Sequence, residues 1–217
     1  MKIRYAYIHL SLIVAFFLCS ADSCNSGIEQ QEKKQKELFN EKIETIKNGF
    51  KSNYLTDSEL IAFELKARQK LFDFSDYFTL FSDKSLDTAF RNKAGMMMPD
   101  LFYNNNTTLD LKLDASEKRI RIDIESLLNK LKNSRYDILL LKIDSLWAFK
   151  TPERINESTY AGKIVYSQNI EGVMGSDTIA IDKYPMLCNF YVTRITSNLG
   201  TEPGRIWKVF LGNIIEY

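Results

Sequence analysis

The chain has 217 residues, 45% of them hydrophobic and 26% charged, enough for one globular domain with attachments and too little for two large ones. Lys and Arg total 29 against 28 Asp and Glu, so no strong overall field exists to recruit nucleic acid, which is not expected as a partner. The single histidine, His9, falls in a segment read below as removed, and a mature chain without imidazole cannot build Ser-His-Asp or Cys-His catalysis or a His-ligated metal centre.

Lys2 and Arg4 precede an apolar run over 5–18, and the small polar stretch Cys19-Ser20-Ala21-Asp22-Ser23-Cys24 follows. That is the tripartite plan of a secretory signal over 1–23, and the run is shorter than the about 20 residues a membrane-spanning helix needs. Its end reads two ways. Ala21-Asp22-Ser23-Cys24 resembles a bacterial lipobox, whose cysteine is diacylated and becomes the new N-terminus, although Ala21 replaces the usual leucine and Asp22 is atypical. Alternatively, Cys19-Ser20-Ala21 offers small residues to an ordinary signal peptidase. The first reading makes Cys24 a lipid anchor to the membrane; both place the protein in the bacterial cell envelope, lipid-anchored or periplasmic.

Residues 24–53 divide into a polar tether over 25–37, NSGIEQQEKKQKE, and a stretch in which Phe39, Ile43, Ile46 and Phe50 recur at helical spacing and call for a docking surface. The domain proper is expected over 54–217. Thr56-Asp57-Ser58-Glu59 is a capping box. The helix after it carries Leu60, Phe63, Ala67, Leu71, Phe74, Phe78 and Phe81 on one stripe, widened by Leu65, Phe72 and Tyr77. So much aromatic surface calls for a sheet as partner. A shorter helix is expected from about Leu86 to Ala94, capped from within Ser82-Asp83-Lys84-Ser85 and closed by Gly95 and Pro99.

Beyond Pro99 the period changes from 3.6 to 2. Leu109, Leu111 and Leu113 form one strand, Ile120 and Ile122 a second, and Asp123 caps a short helix bearing Ile124, Leu127, Leu128 and Leu131. From Tyr136 the chain reads as long strands with short connections, which implies an antiparallel sheet. The continuous apolar run of residues 138–141 is expected as a central strand. Pro185 is expected at an edge or at a bend between two of the last strands. Cys188 shares strand parity with Phe190 and Val192 and is expected to be a buried, inert thiol. If Cys24 is acylated, no internal disulfide is possible; if cleavage follows Ala21, a bond between Cys24 and Cys188 is conceivable.

Long helix, short helix, two short strands, short helix and about four long strands is an order that resembles the NTF2-like, cystatin-like α+β domains. The ending Trp207-Lys208-Val209-Phe210-Leu211-Gly212-Asn213-Ile214 is also similar to the last strand of exported NTF2-like lipoproteins common in Bacteroidota. The resemblance implies N-terminal helices packed on a strongly curved antiparallel sheet, the NTF2-like cone, around a pocket.

That family includes dehydratases and isomerases using an Asp, a Tyr and often a His in the cone, as well as accessory domains without chemistry. The candidates here are Asp73, Asp76 and Tyr77 on the long helix and Tyr103 after the short one, a carboxylate base with a phenol to stabilise an oxyanion. Carboxylates off an apolar stripe are more often a solvated face. Met97 and Phe102, within an apolar stretch that includes three consecutive methionines, are candidates for a flexible pocket lip, against the plainer reading of a plug for the end of the core. No calcium-loop spacing and no Cys-x-x-Cys is present, so neither metal nor other cofactor is expected. The first expectation is therefore a non-enzymatic binding or accessory domain whose concave face takes a protein partner or a small apolar ligand. The alternative is a metal-independent isomerase or dehydratase using an Asp/Tyr pair.

Overall fold

The computed structural model describes residues 54–104, 106–199 and 202–217. The signal segment, Cys24, the tether and the stretch bearing Phe39 to Phe50 lie outside the described residues. The fold is α+β. Helix α1 (Asp57–Ser82) is followed by α2 (Thr88–Met97), a 3-10 turn (Pro99–Leu101), strands β1 (Thr108–Leu111) and β2 (Ile120–Asp123), helix α3 (Ile124–Lys132) and four long strands: β3 (Ile138–Asn156), β4 (Thr159–Met174), β5 (Asp177–Leu199) and β6 (Glu202–Glu216). All six strands form one unclosed, curved sheet in the order β2-β1-β6-β5-β4-β3. Every pairing is antiparallel except the junction of β1 with β6.

Helix α1 begins where its capping box places it: the Thr56 hydroxyl accepts from Glu59 N at 3.3 Å, and Glu59 accepts from Thr56 N at 2.8 Å. Leu60, Ala67, Leu71, Phe74 and Phe78 are its buried face. Leu65 and Phe72, expected to widen that stripe, are instead 58% and 41% exposed. At 100° per residue they fall on the opposite half of the helix together with Ile61, itself 56% exposed. Helix α2 starts later than expected, because Asp87 supplies its N-cap, accepting from Ala89 N at 2.8 Å. Gly95 lies inside α2 instead of ending it, since a Cβ there would stand 2.7 Å from the Phe81 ring; the two helices pack closely only without one. Asp123 caps α3 by accepting from Ser126 N at 2.7 Å.

Two strand expectations are corrected. The run at 138–141 is not central, for β3 is an edge of the sheet. Its exposed backbone is instead covered by α1. The Thr79 hydroxyl accepts from Leu141 N at 3.2 Å, the Ser82 hydroxyl accepts from Leu139 N at 3.0 Å, and Ser75 Oγ donates to the Leu141 carbonyl. Three hydroxyls of one helix thus do for this edge what another strand would do. Pro185 lies neither at a sheet edge nor between two strands: 177–199 is a single strand running through it, paired with Ser167 of β4. The Pro185 carbonyl accepts from Tyr217 N at 3.1 Å, so its nitrogen faces the side on which β6 has just ended at Glu216, where no ladder donor is needed.

The sheet bends where its ladders slip. Register shifts interrupt β3 against β4 at four places and each of the two following pairs once, and such bulges bend and twist a strand. At the first of them Ser145 adopts φ 48°, the left-handed region a non-glycine residue enters only when its surroundings hold it there. The concave face then closes on α1. Leu71, Phe74, Phe78, Met98, Ile164, Tyr166, Met186 and Phe190 are all completely buried, with the Phe74 ring edge-on to Phe78 at 6.2 Å and to Phe102 at 5.4 Å. Phe190 lies across its register partner Gly162, where a Cβ would be 2.3 Å from the ring. Cys188 is fully buried as expected, and burial pushes its thiol up to about 12, which leaves it protonated and unreactive at neutral pH.

Candidate functional site

Asp73 and Asp76 both sit on the half of α1 turned from the sheet. Asp76 is exposed and Asp73 half-buried, its carboxylate accepting from Gln69 Nε2 at 2.9 Å. Tyr77 is half-buried against the edge of the core. Tyr103 lies elsewhere. Its ring stacks on Tyr191 at 4.7 Å and meets Phe210 at 6.1 Å, two residues that alternate with the core-facing Phe190 and Leu211 and so belong to the convex face of the sheet. With Gly212 and Asn213 it borders a recess of about 240 Å³. The four residues are therefore not brought together on one cavity, as proton abstraction by this carboxylate and phenol set would require. Met97 is 36% exposed on α2, whereas Phe102 is 4% exposed and packed on Phe74. These two do not form a common lip, because the 3-10 turn between them carries Phe102 into the core.

The concave face has three zones. Its middle is the packed aromatic cluster. Toward the C-terminal end of α1 the parity of β4 brings in Gln168, which is completely buried. Tyr166 Oη lies 3.4 Å from Gln168 Oε1, Gln168 Nε2 lies 3.5 Å from Asp182, and Arg119 Nη2 donates to the other Asp182 oxygen at 2.8 Å. The Arg119 guanidinium also rests over the Tyr184 ring at 4.4 Å and approaches Glu216 at 3.7 Å. Burial raises the Asp182 carboxyl against the opposing pull of Arg119, and burial likewise raises the Tyr166 phenol. Such a network satisfies buried polar groups and pins the β1–β2 connection to β5. No motif marks this network in the sequence, although Gln168 is legible there by its parity with Tyr160, Ile164, Tyr166 and Ile170.

At the opposite end Tyr160 and Trp207 close the core, their rings 5.6 Å apart, and the Tyr160 hydroxyl accepts from Leu55 N at 3.0 Å just before α1 begins. Beyond them the sheet continues with polar side chains. Arg154 is paired with Tyr160, Arg194 with Trp207, and Thr196 with Arg205, so strand alternation puts these residues on the concave side. They border an open cleft of about 550 Å³ together with Tyr54, Glu157, Ser158 and Ile195. Among its described lining residues three arginines stand against one carboxylate. Arg154 is pre-positioned: its Nε donates to the Asn156 carbonyl at 3.0 Å, its Nη2 to the Glu157 carbonyl at 3.1 Å, and its plane stacks on Tyr54 at 4.2 Å. The hairpin is tied to β5 by Arg194 N donating to the Ser158 carbonyl at 2.8 Å. Sequence reading had no signal for this convergence, since the three arginines come from three strands and meet only through register.

Among the described residues no group of His, Cys, Asp or Glu is arranged to hold a metal ion, and no described helix is long and apolar enough to cross a membrane. No family model matches the chain, and no curated protein does. Solved structures do. One is a protein from Novosphingobium aromaticivorans provisionally assigned as a scytalone dehydratase, at TM-score 0.38 and 7% identity over 72% of this chain and 85% of that one. Another is a periplasmic fragment of TraM, at TM-score 0.37 and 9% identity over 74% of this chain and 99% of that one.

Proposed function

We propose that this is an exported, lipid-anchored, non-enzymatic binding or accessory domain of NTF2-like type, which binds at the rim of its concave face and not inside it. The observation carrying this reading is the packing of the concave face itself. Leu71, Phe74, Phe78, Tyr166, Met186 and Phe190 occupy the space between α1 and the sheet at 0% exposure, so an apolar ligand would have to displace the protein's own core. The candidate carboxylates of α1 lie on its far side. Export and the anchor at Cys24 are supported by the basic start, the apolar run and the small residues before Cys24, and by the polar tether that would space the domain from a membrane.

The test is native mass spectrometry of the protein extracted from membranes of a producing bacterium. The expected species is a chain beginning at diacylated Cys24 with no small molecule retained. A chain beginning at Met1 would overturn export. An apolar molecule that stays with the folded protein and leaves only on unfolding would overturn the filled interior.

A further inference from the structure

We infer that the convex face of the sheet carries a binding site for a neutral oligosaccharide, one sugar unit of which sits in the recess beside Tyr103. The site lies on the face opposite the concave rim and stands independently of the reading that places binding there. Its base is aromatic. Tyr191 and Phe210 are register partners on the convex face, and the Tyr103 ring stacks on Tyr191 at 4.7 Å while 42% of the residue stays exposed. A Cβ at Gly212 would stand 2.6 Å from the Tyr191 ring, so that ring lies against β6 only because the position is glycine. The ladder of β5 with β6 slips just there, between the pairs made by Cys188 and Phe190. Such a slip re-aims side chains, and Asn213 borders the recess together with both tyrosines.

The amides are oriented as well. Asn213 Oδ1 accepts from Thr108 N at 2.9 Å, and Asn104 Oδ1 accepts from Asn106 N at 3.0 Å. With both oxygens held by backbone donors, the Nδ2 groups are the ends left over, and among the described residues neither has a hydrogen-bond partner. An exposed ring beside fixed amides matches a sugar, whose C–H face lies on an aromatic surface while its hydroxyls, donors and acceptors alike, meet the amides. None of the described residues around the recess is charged, so nothing there would neutralise the phosphate of a nucleotide. A volume of about 240 Å³ is smaller than a pocket that encloses a whole drug-sized molecule and suits one ring-sized unit. Asn104 and Asn106 also border a second hollow of about 440 Å³, with Asp123 and Glu125 in its wall. Those carboxylates can accept from sugar hydroxyls and would repel an anion. The fitting ligand is therefore a neutral chain of more than one sugar.

The test is titration of the full chain with cellohexaose, maltohexaose, mannohexaose and chitohexaose in separate arms, followed through the backbone amide resonances of Tyr103, Asn104, Gly212 and Asn213. Adenosine and a blocked tripeptide of glycine and tyrosine form two further arms. Saturable shifts at these amides are expected with at least one hexasaccharide, and weaker binding with its monosaccharide. Tyr103→Ala should weaken binding about tenfold. Asn213→Asp keeps the acceptor for Thr108 N and removes the amide donors, and it should weaken binding several-fold. Phe90→Ala, which removes an exposed ring on α2 that does not border the recess, should leave binding unchanged. If Tyr103→Ala unfolds, Asn213→Asp decides. The sugar site is overturned if none of the four hexasaccharides gives saturable shifts, if binding is the same in both recess variants, or if adenosine or the peptide binds these amides more tightly than every sugar.

Discussion

The middle of the concave face and its rim beside the start of α1 share strands, parity and curvature, yet they are built for opposite ends. Along β5 the concave-side residues pass from Met186, Cys188, Phe190 and Val192, all fully buried, to Arg194 and then the exposed Thr196 within a few positions. The change is one of composition and not of backbone. Where α1 covers the sheet, aromatic and aliphatic side chains fill the space; where α1 has not yet begun, the same face carries the exposed Arg154 and Arg205 and the half-buried Arg194. A curved sheet with a helix across it thus yields a pocket only where the helix stops or its side chains are small, and here they are not small.

Truncating the filled middle should cost most. Phe190→Ala removes a fully buried ring lying across Gly162, with an expected loss of about 3–5 kcal/mol, while Gly162→Ala forces a methyl group against that ring and should cost about 1–3 kcal/mol. Chemical denaturation of both variants measures this. Losses below about 1 kcal/mol for Phe190→Ala would mean that the middle is loosely packed and the contrast with the rim is false.

Next in size is the edge cover. Ser82→Ala leaves the amide of Leu139 without the hydroxyl that accepts from it at 3.0 Å, at an expected cost of about 1–3 kcal/mol. Hydrogen exchange at the Leu139 amide should accelerate together with the loss of stability. Unchanged protection there would show that α1 does not close the β3 edge.

A smaller effect is expected at the β1–β2 pair, away from both zones. Asp110 and Arg121 are register partners joined by two hydrogen bonds of 2.7 and 2.8 Å, and the hydrogen bond from Arg121 holds the Asp110 carboxyl below the usual carboxylate range. A carboxyl lowered by folding contributes stability that is present above its unfolded pKa and lost as pH falls through the folded one. Because Arg121 is largely exposed, Asp110→Asn should cost only about 0.2–1 kcal/mol at neutral pH, and the difference between variant and parent should vanish in acid. A difference that grows as pH falls would contradict this sign. Least of all, Arg205→Gln at the exposed rim should change stability by no more than about 0.5 kcal/mol in chemical denaturation, and a larger loss would show that the rim is as tightly built as the middle.

The sequence carried the helices and the overall class because their signals are local: the Thr56 and Glu59 box, the Asp123 cap and the period of Leu60 to Phe78 each operate within a few residues. It misplaced β3 because a covered edge and a central strand bury the same apolar run, and the Ser75, Thr79 and Ser82 hydroxyls that cover the edge look like ordinary polar spacing on α1. A break at Pro185 is the natural reading of 177–199, because the end of β6 at Glu216, which removes the need for a donor beside Pro185, is a fact of register. The sites were less legible still. Asp73, Asp76, Tyr77 and Tyr103 were singled out by residue type, whereas Arg154, Arg194 and Arg205 gain their meaning from three strands meeting at one end of the sheet. Gln168 is the more legible of the polar residues on the concave face, since Tyr166 and Ile170 on either side of it in the same parity are both completely buried.

The central claim is that the space between α1 and the sheet is solid and that the concave face binds only at its rim. A crystal structure determined under xenon pressure tests it most directly, because xenon enters apolar voids large enough to hold it and leaves filled cores empty. The account predicts no xenon among Phe74, Phe78, Tyr166 and Phe190 in the parent protein, with a site appearing beside Gly162 in Phe190→Ala. A xenon atom bordered by those four side chains in the unmodified protein would contradict it and return the interior to the list of binding chambers.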